Sequence, residues 1–160
     1  MAEKKSPAKS EKRTPKNPKY KFIKGVTAEL TFEAYGRDLN EVFKNAALAT
    51  MDTMVDTKTV QPKLQKIIKL QSNDIKALLV DFLNELVYYK DAEQMFLSEF
   101  DVEIKQKPES GVWLLTAEIS GEPLNQKRHP LRADVKAATW HMLELKQEKK
   151  NWIARVVLDV

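Results

Sequence analysis

Two histidines, His129 and His141, and no cysteine narrow the chemistry open to this 160-residue chain. A thiolate nucleophile and a disulfide are excluded, and a structural zinc site, built from Cys and His, lacks its donors. The glycines fall only at 25, 36, 111 and 121, so neither kind of glycine-rich phosphate loop is present. No serine stands in a nucleophile elbow. What remains is oxygen chemistry. Glu29 lies on the polar face of an alternating segment, Asp159 is the penultimate residue of an otherwise apolar run, and Val160 carries the terminal carboxylate. Carboxylates suit hard cations such as Ca²⁺ or Mg²⁺. Read from the residues alone, Asp159 also fits a charge that keeps an edge strand from pairing. His129, between Arg128 and Pro130, is expected on the surface of a loop. His141 shares an alternating face with Val135, Ala137, Leu143 and Leu145, and is expected half-buried and hydrogen-bonded.

The elements that must position these groups follow from periodicity. Residues 27–34 alternate, with Ala28, Leu30, Phe32 and Ala34 on one side and Thr27, Glu29, Thr31 and Glu33 on the other, which predicts a strand ended by Gly36. Asp38 with Glu41 forms a capping box, followed by a helical stripe from Leu39 to Val55 that Pro62 closes. Leu64, Ile68 and Leu70 suggest a short strand. Ile75, Leu78, Leu79, Phe82, Leu83, Leu86 and Val87 keep helical spacing over three turns, with Ser72 or Asn73 as N-cap. Phe100, Val102 and Ile104 alternate, as do Trp113, Leu115, Ala117 and Ile119. The turn Pro108-Glu109-Ser110-Gly111 between them predicts a hairpin. A polar loop over 122–130 precedes two further strands, 135–145 and 152–158. Two main helices packed on a mostly antiparallel sheet, without regular βαβ alternation, make the fold class α+β.

Composition divides the chain at residue 20. Residues 1–19 hold six lysines, an arginine and three prolines but no aromatic, so a disordered basic tail is expected there, followed by one domain over 20–160. Formal net charge is +4, yet the tail has seven basic residues against Glu3 and Glu11, leaving the domain slightly acidic. A basic arm of this kind can touch phosphate, tRNA included, in a salt-dependent way. No apolar run follows the N-terminal charges and none is long enough to span a bilayer, so a cytoplasmic protein without membrane contact is expected.

Several short stretches carry a resemblance. They are Thr27-Ala28-Glu29 with Ala34-Tyr35-Gly36; Asn45-Ala46-Ala47-Leu48; Met54-Val55-Asp56; the run from Leu79 to Leu86; Arg128-His129-Pro130; Val135-Lys136-Ala137; and the final run from Ala154 to Val160. In order and spacing the chain resembles the archease family across residues 20–160. The resemblance implies a small α+β accessory protein, not an enzyme with its own catalytic site. Its role would be to promote guanylylation and multiple turnover of an RtcB-type RNA ligase in tRNA splicing. It also implies a divalent-cation site (Ca²⁺, or Mg²⁺/Mn²⁺), which maps onto Glu29, Asp159 and Val160. Val26 stands where the family has histidine, and Glu29 where it has its first aspartate. Asp56, Asp81 and Asp134 match acidic family positions; Asp56 is expected in the turn after the first helix, Asp81 on the solvent face of the second, and Asp134 as an additional contact. The alternative reading is an RNA-binding module using the basic arm. A metal-dependent hydrolase is a third, disfavoured because no base or nucleophile stands out.

Overall fold

Strict alternation in the first segment produces a strand because successive side chains must leave opposite faces of the backbone. In the structure, a computed structural model that describes residues 18–24 and 29–160, that strand is β2 (Leu30–Gly36), paired antiparallel to β1 (Tyr20–Ile23). Phe32 and Ala34 are fully buried while Glu33 and Tyr35 reach the other face. Most of the expected tail, residues 1–17, and also Val26, Thr27 and Ala28, lie outside the described residues. Lys19 already belongs to the body, its carbonyl accepting the Tyr35 N–H at 2.9 Å.

Helix α1 (Leu39–Met54) begins where expected. Asp38 Oδ1 accepts the Glu41 N–H at 2.8 Å, but Glu41 reaches back to the N–H of Arg37, also at 2.8 Å, one residue before the usual capping-box position. A single 3₁₀ turn (Thr57–Thr59) follows, capped by Asp56. Helix α2 (Ile75–Ala92) is capped by Asp74, which accepts the Lys76 N–H, and not by Ser72 or Asn73. Ser72 instead serves the backbone of Asp74 itself. Leu78, Leu79, Phe82, Leu83 and Leu86 are completely buried. At about 1.5–3 kcal/mol each, they make the core-facing stripe the main reason this helix is stable. Phe82 stacks on Phe43 of α1, with centroids 6.2 Å apart, joining the two helices.

The strands form two antiparallel sheets where one was expected. The first runs β1-β2-β8, with β6 (Ala137–Ala138) and β7 (Glu144–Glu148) side by side on the far edge of β8 (Asn151–Asp159). The second is β3-β5-β4, from β3 (Leu64–Ser72), β4 (Met95–Gln106) and β5 (Trp113–Pro123). The predicted hairpin is β4–β5, its turn ending at Gly111 with φ +75°, a conformation glycine adopts without strain. The expected strand over 135–145 is interrupted. Residues 140–143 swing out between β6 and β7, turning at Met142 (φ 53°), because the Leu143 N–H bonds the Trp140 carbonyl instead of a neighbouring strand.

Close backbone approach shapes the second sheet. An added Cβ at Gly121 would sit 1.8 Å from the Phe96 carbonyl oxygen, so only glycine fits there. One residue further along β4, the register slips between Leu97 and Glu99, and Ser98 becomes the extra residue of a β-bulge.

Candidate functional site

The β2–β8 pair determines which carboxylates meet. Leu30 faces Leu158 as the last pair of the two strands, so Glu29, the exposed residue before β2, and Asp159, which follows Leu158, lie at the same end of the ladder. On its other edge Asp159 pairs with Ala137, and its carbonyl accepts the Lys136 N–H at 2.8 Å. That bond holds the strand to its last residue. β6 is itself pinned to α2: Asn84 accepts the Ala138 N–H at 2.8 Å and donates to the Ala138 carbonyl at 3.1 Å. Asp159 and Val160 are exposed, Val160 at 38%. Two carboxylate side chains and the chain-end carboxylate therefore share one end of one sheet. All are oxygen donors, the chemistry a hard cation takes. Among the described residues, no group of three or more His, Asp or Glu side chains is gathered as metal ligands.

The other singled-out acids do separate work. Asp56 caps the 3₁₀ turn, as a post-helix turn residue would, and Asp81 is exposed on α2. Asp134 accepts the Lys90 ammonium at 2.5 Å, and Lys90 also donates to the Val135 carbonyl at 2.8 Å. Their partnership holds Lys90 above its ordinary pKa against the opposing effect of burial, its largest single influence.

Both histidines depart from expectation. His141 is not half-buried on a strand; it is exposed in the turn between β6 and β7. His129 is not on the surface. It is 1% exposed, edge-on to Phe96 at 5.6 Å, and paired with Glu122, itself 2% exposed. The Asn125 N–H donates to His129 Nδ1 at 2.9 Å, so the ring proton resides on Nε2 and is donated to Glu122 Oε2 at 3.0 Å. With both nitrogens engaged, His129 is built as a clamp and not as a general base.

Glu122 is the centre of that clamp. It also accepts the Gln61 N–H at 2.8 Å and a short bond from Arg128. The Arg128 guanidinium is the main cause of a carboxyl held at about pKa 2, with the Gln61 and His129 donors adding to it and burial opposing. The clamp closes the 123–130 loop onto β5. Sequence reasoning placed Glu122 in a polar loop and missed it; the only local signal was the Arg128-His129 pair six and seven residues on. A comparable pair lies on the outer side of β2 and β8, where Arg155 donates to Glu33 at 2.7 and 3.1 Å and Tyr35 adds a third bond at 3.0 Å. Burial, with the Glu33 charge, pushes the Tyr35 phenol up to about 12.

No helix of the structure is long and apolar enough to cross a membrane, among the described residues.

Known proteins match most of this chain. The model of the archease protein family matches residues 20–160. An archease from Methanothermobacter thermautotrophicus is 42% identical over 135 residues, covering 84% of this chain and 94% of the relative. One from Methanosarcina mazei is 37% identical over 142 residues, covering 89% and 96%. Among solved structures, a solution structure of a Methanobacterium thermoautotrophicum protein superimposes with a TM-score of 0.74 at 37% identity, covering 89% of this chain and 99% of that one. A Thermotoga maritima crystal structure, described as an archease and possible chaperone, shares the fold at 14% identity with a TM-score of 0.56, covering 95% and 100%. The two-sheet, two-helix α+β domain with Glu29 and Asp159 at one strand end thus belongs to the archease family.

Proposed function

We propose that this protein is an accessory factor for an RtcB-type RNA ligase, promoting the ligase's guanylylation so that it joins many tRNA halves in succession. In this reading it has no catalytic site of its own. The observation that carries the proposal is that the β2–β8 ladder ends at Leu30 and Leu158, which leaves Glu29, Asp159 and Val160 at one end of the sheet, the three positions onto which the family resemblance maps a cation. That donor set fits a hard divalent ion, but three groups fall short of the six to eight oxygens calcium prefers. Water, or a group of the ligase, would complete the shell. Such an ion would supply positive charge where the anionic guanylyl group is transferred. The chain's own residues keep the donors in place: Lys136 ties down the Asp159 backbone, and Asn84 ties β6 to α2. Glu29 is one methylene longer than aspartate, so its carboxylate extends further from the backbone than the family's residue.

RNA joining by the cognate ligase, followed beyond one turnover, tests this. Wild-type protein is expected to support repeated turnover. Asp159→Asn, or a tag fused after Val160, should fold normally by circular dichroism yet fail, whereas a tag before Met1 should leave activity intact. Calorimetric titration with Ca²⁺, Mg²⁺ and Mn²⁺ should show at least about tenfold weaker binding for Asp159→Asn. A wild-type protein that leaves ligase turnover unchanged overturns the proposal. Equal activity of the two tagged forms would move the working surface elsewhere.

A further inference from the structure

The outer face of the β3-β5-β4 sheet is acidic. Glu99, Asp101 and Glu103 leave β4 on the side away from the core, and Glu118 leaves β5 directly opposite Asp101. Glu103 has Lys105 at 3.9 Å. Among the described residues no ion pair reaches Glu99, Asp101 or Glu118. These three carboxylates line a groove of about 490 Å³, which Lys19, Lys44 and Leu48 also line. The same groove is lined by Ser98, whose Oγ is buried without a hydrogen-bond partner among the described residues. Ser98 is the bulge residue, and bulges commonly re-aim a side chain at a binding surface.

We infer that this groove is occupied by the chain's own basic arm, residues 1–17. The arm holds Lys4, Lys5, Lys9, Lys12, Arg13 and Lys16 against only Glu3 and Glu11, so its charge complements Glu99, Asp101 and Glu118. It enters at the right place. The Lys19 carbonyl is bonded to Tyr35 at the end of β2, and the Lys19 side chain lines the groove, so the preceding residues start at its mouth. Seventeen residues reach up to about 55–60 Å, more than the roughly 40 Å length of β4. A second copy of the acidic face would be repelled, whereas the arm is tethered and therefore present at high effective concentration. The contact is electrostatic and reversible, and it holds the arm's cations away from other anions while it lasts. The inference does not depend on the ligase reading.

The chain has no cysteine, so Ser10→Cys offers a single attachment point for a nitroxide on the otherwise native full-length protein. Paramagnetic broadening of backbone amide signals is read at low salt. Broadening centred on residues 98–101 and 118–120 is expected, unchanged on tenfold dilution, and lost near 1 M NaCl, where the screening length falls to about 3 Å. The near-isosteric triple variant Glu99→Gln, Asp101→Asn, Glu118→Gln should lose it at low salt while its amide spectrum stays folded. Broadening absent, centred on another face, dependent on protein concentration, or unchanged in the triple variant would overturn the inference.

Discussion

Replacing Glu122 with glutamine removes one charge from a site that the structure packs completely. In the wild type Glu122 is 2% exposed and receives Arg128, the His129 Nε2–H at 3.0 Å and the Gln61 N–H at 2.8 Å. Glutamine keeps one accepting oxygen but turns an NH₂ donor toward groups that themselves donate. At least one of the three then loses its acceptor. Breaking a buried charged pair costs about 3–5 kcal/mol. The Arg128 side chain, however, is 43% exposed and water takes up part of its charge, so about 2 kcal/mol is expected. For a domain of this size, that is a fall of roughly 6–8 °C in Tm at pH 7. The pH dependence provides an independent check. The folded carboxyl is held at about 2, below its ordinary 4.5, so its contribution is fully present above about pH 4.5 and fades as pH falls toward 2. Thermal melts by circular dichroism, for both proteins from pH 7 down to 2, should therefore converge in the acid range. A Tm gap below about 1 °C at neutral pH, or a gap of constant size at every pH, would refute the clamp.

Two further outcomes follow from the packing around the sheets. Asn84→Ala removes both bonds to Ala138, which is 4% exposed, and should cost about 1–3 kcal/mol in urea unfolding; an unchanged midpoint would mean that β6 holds to β8 without α2. Gly121→Ala puts a Cβ 1.8 Å from the Phe96 carbonyl oxygen and should cost about 3 kcal/mol or more, lowering Tm by about 9 °C or preventing folding. A wild-type melting curve would show that the β4 and β5 backbones can part there.

Local periodicity was enough for much of the fold. The i, i+3, i+4 stripes of α1 and α2 and the alternation of β2, β4 and β5 each report an element that buries one face, and such a pattern is written within a dozen residues. Asp38 was likewise readable, because an N-cap bonds only to its own first turn. Where several equivalent local solutions existed, the sequence did not choose: Ser72, Asn73 and Asp74 can all cap, and Asp74 does. Alternation through 135–145 continued across a segment that leaves the sheet, since side-chain pattern does not record whether a partner strand is within hydrogen-bonding reach.

The polar groups depended on the tertiary structure more than the apolar ones did. His129 and Glu122 looked like surface residues because their neighbours in sequence are polar. They are buried because each satisfies the other, and a charged group leaves water only when the fold supplies such a partner. Composition alone determined that thiolate chemistry is closed to this chain, that a structural zinc site built from Cys and His lacks its donors, and that oxygen donors remain. That Glu29 and Asp159, far apart in sequence, come to the same end of one strand pair was decided by the β2–β8 register. That register buries Phe32, Ala34, Ala154 and Val156 on the same side of the sheet, and slipping either strand by one residue would turn its two to the opposite face.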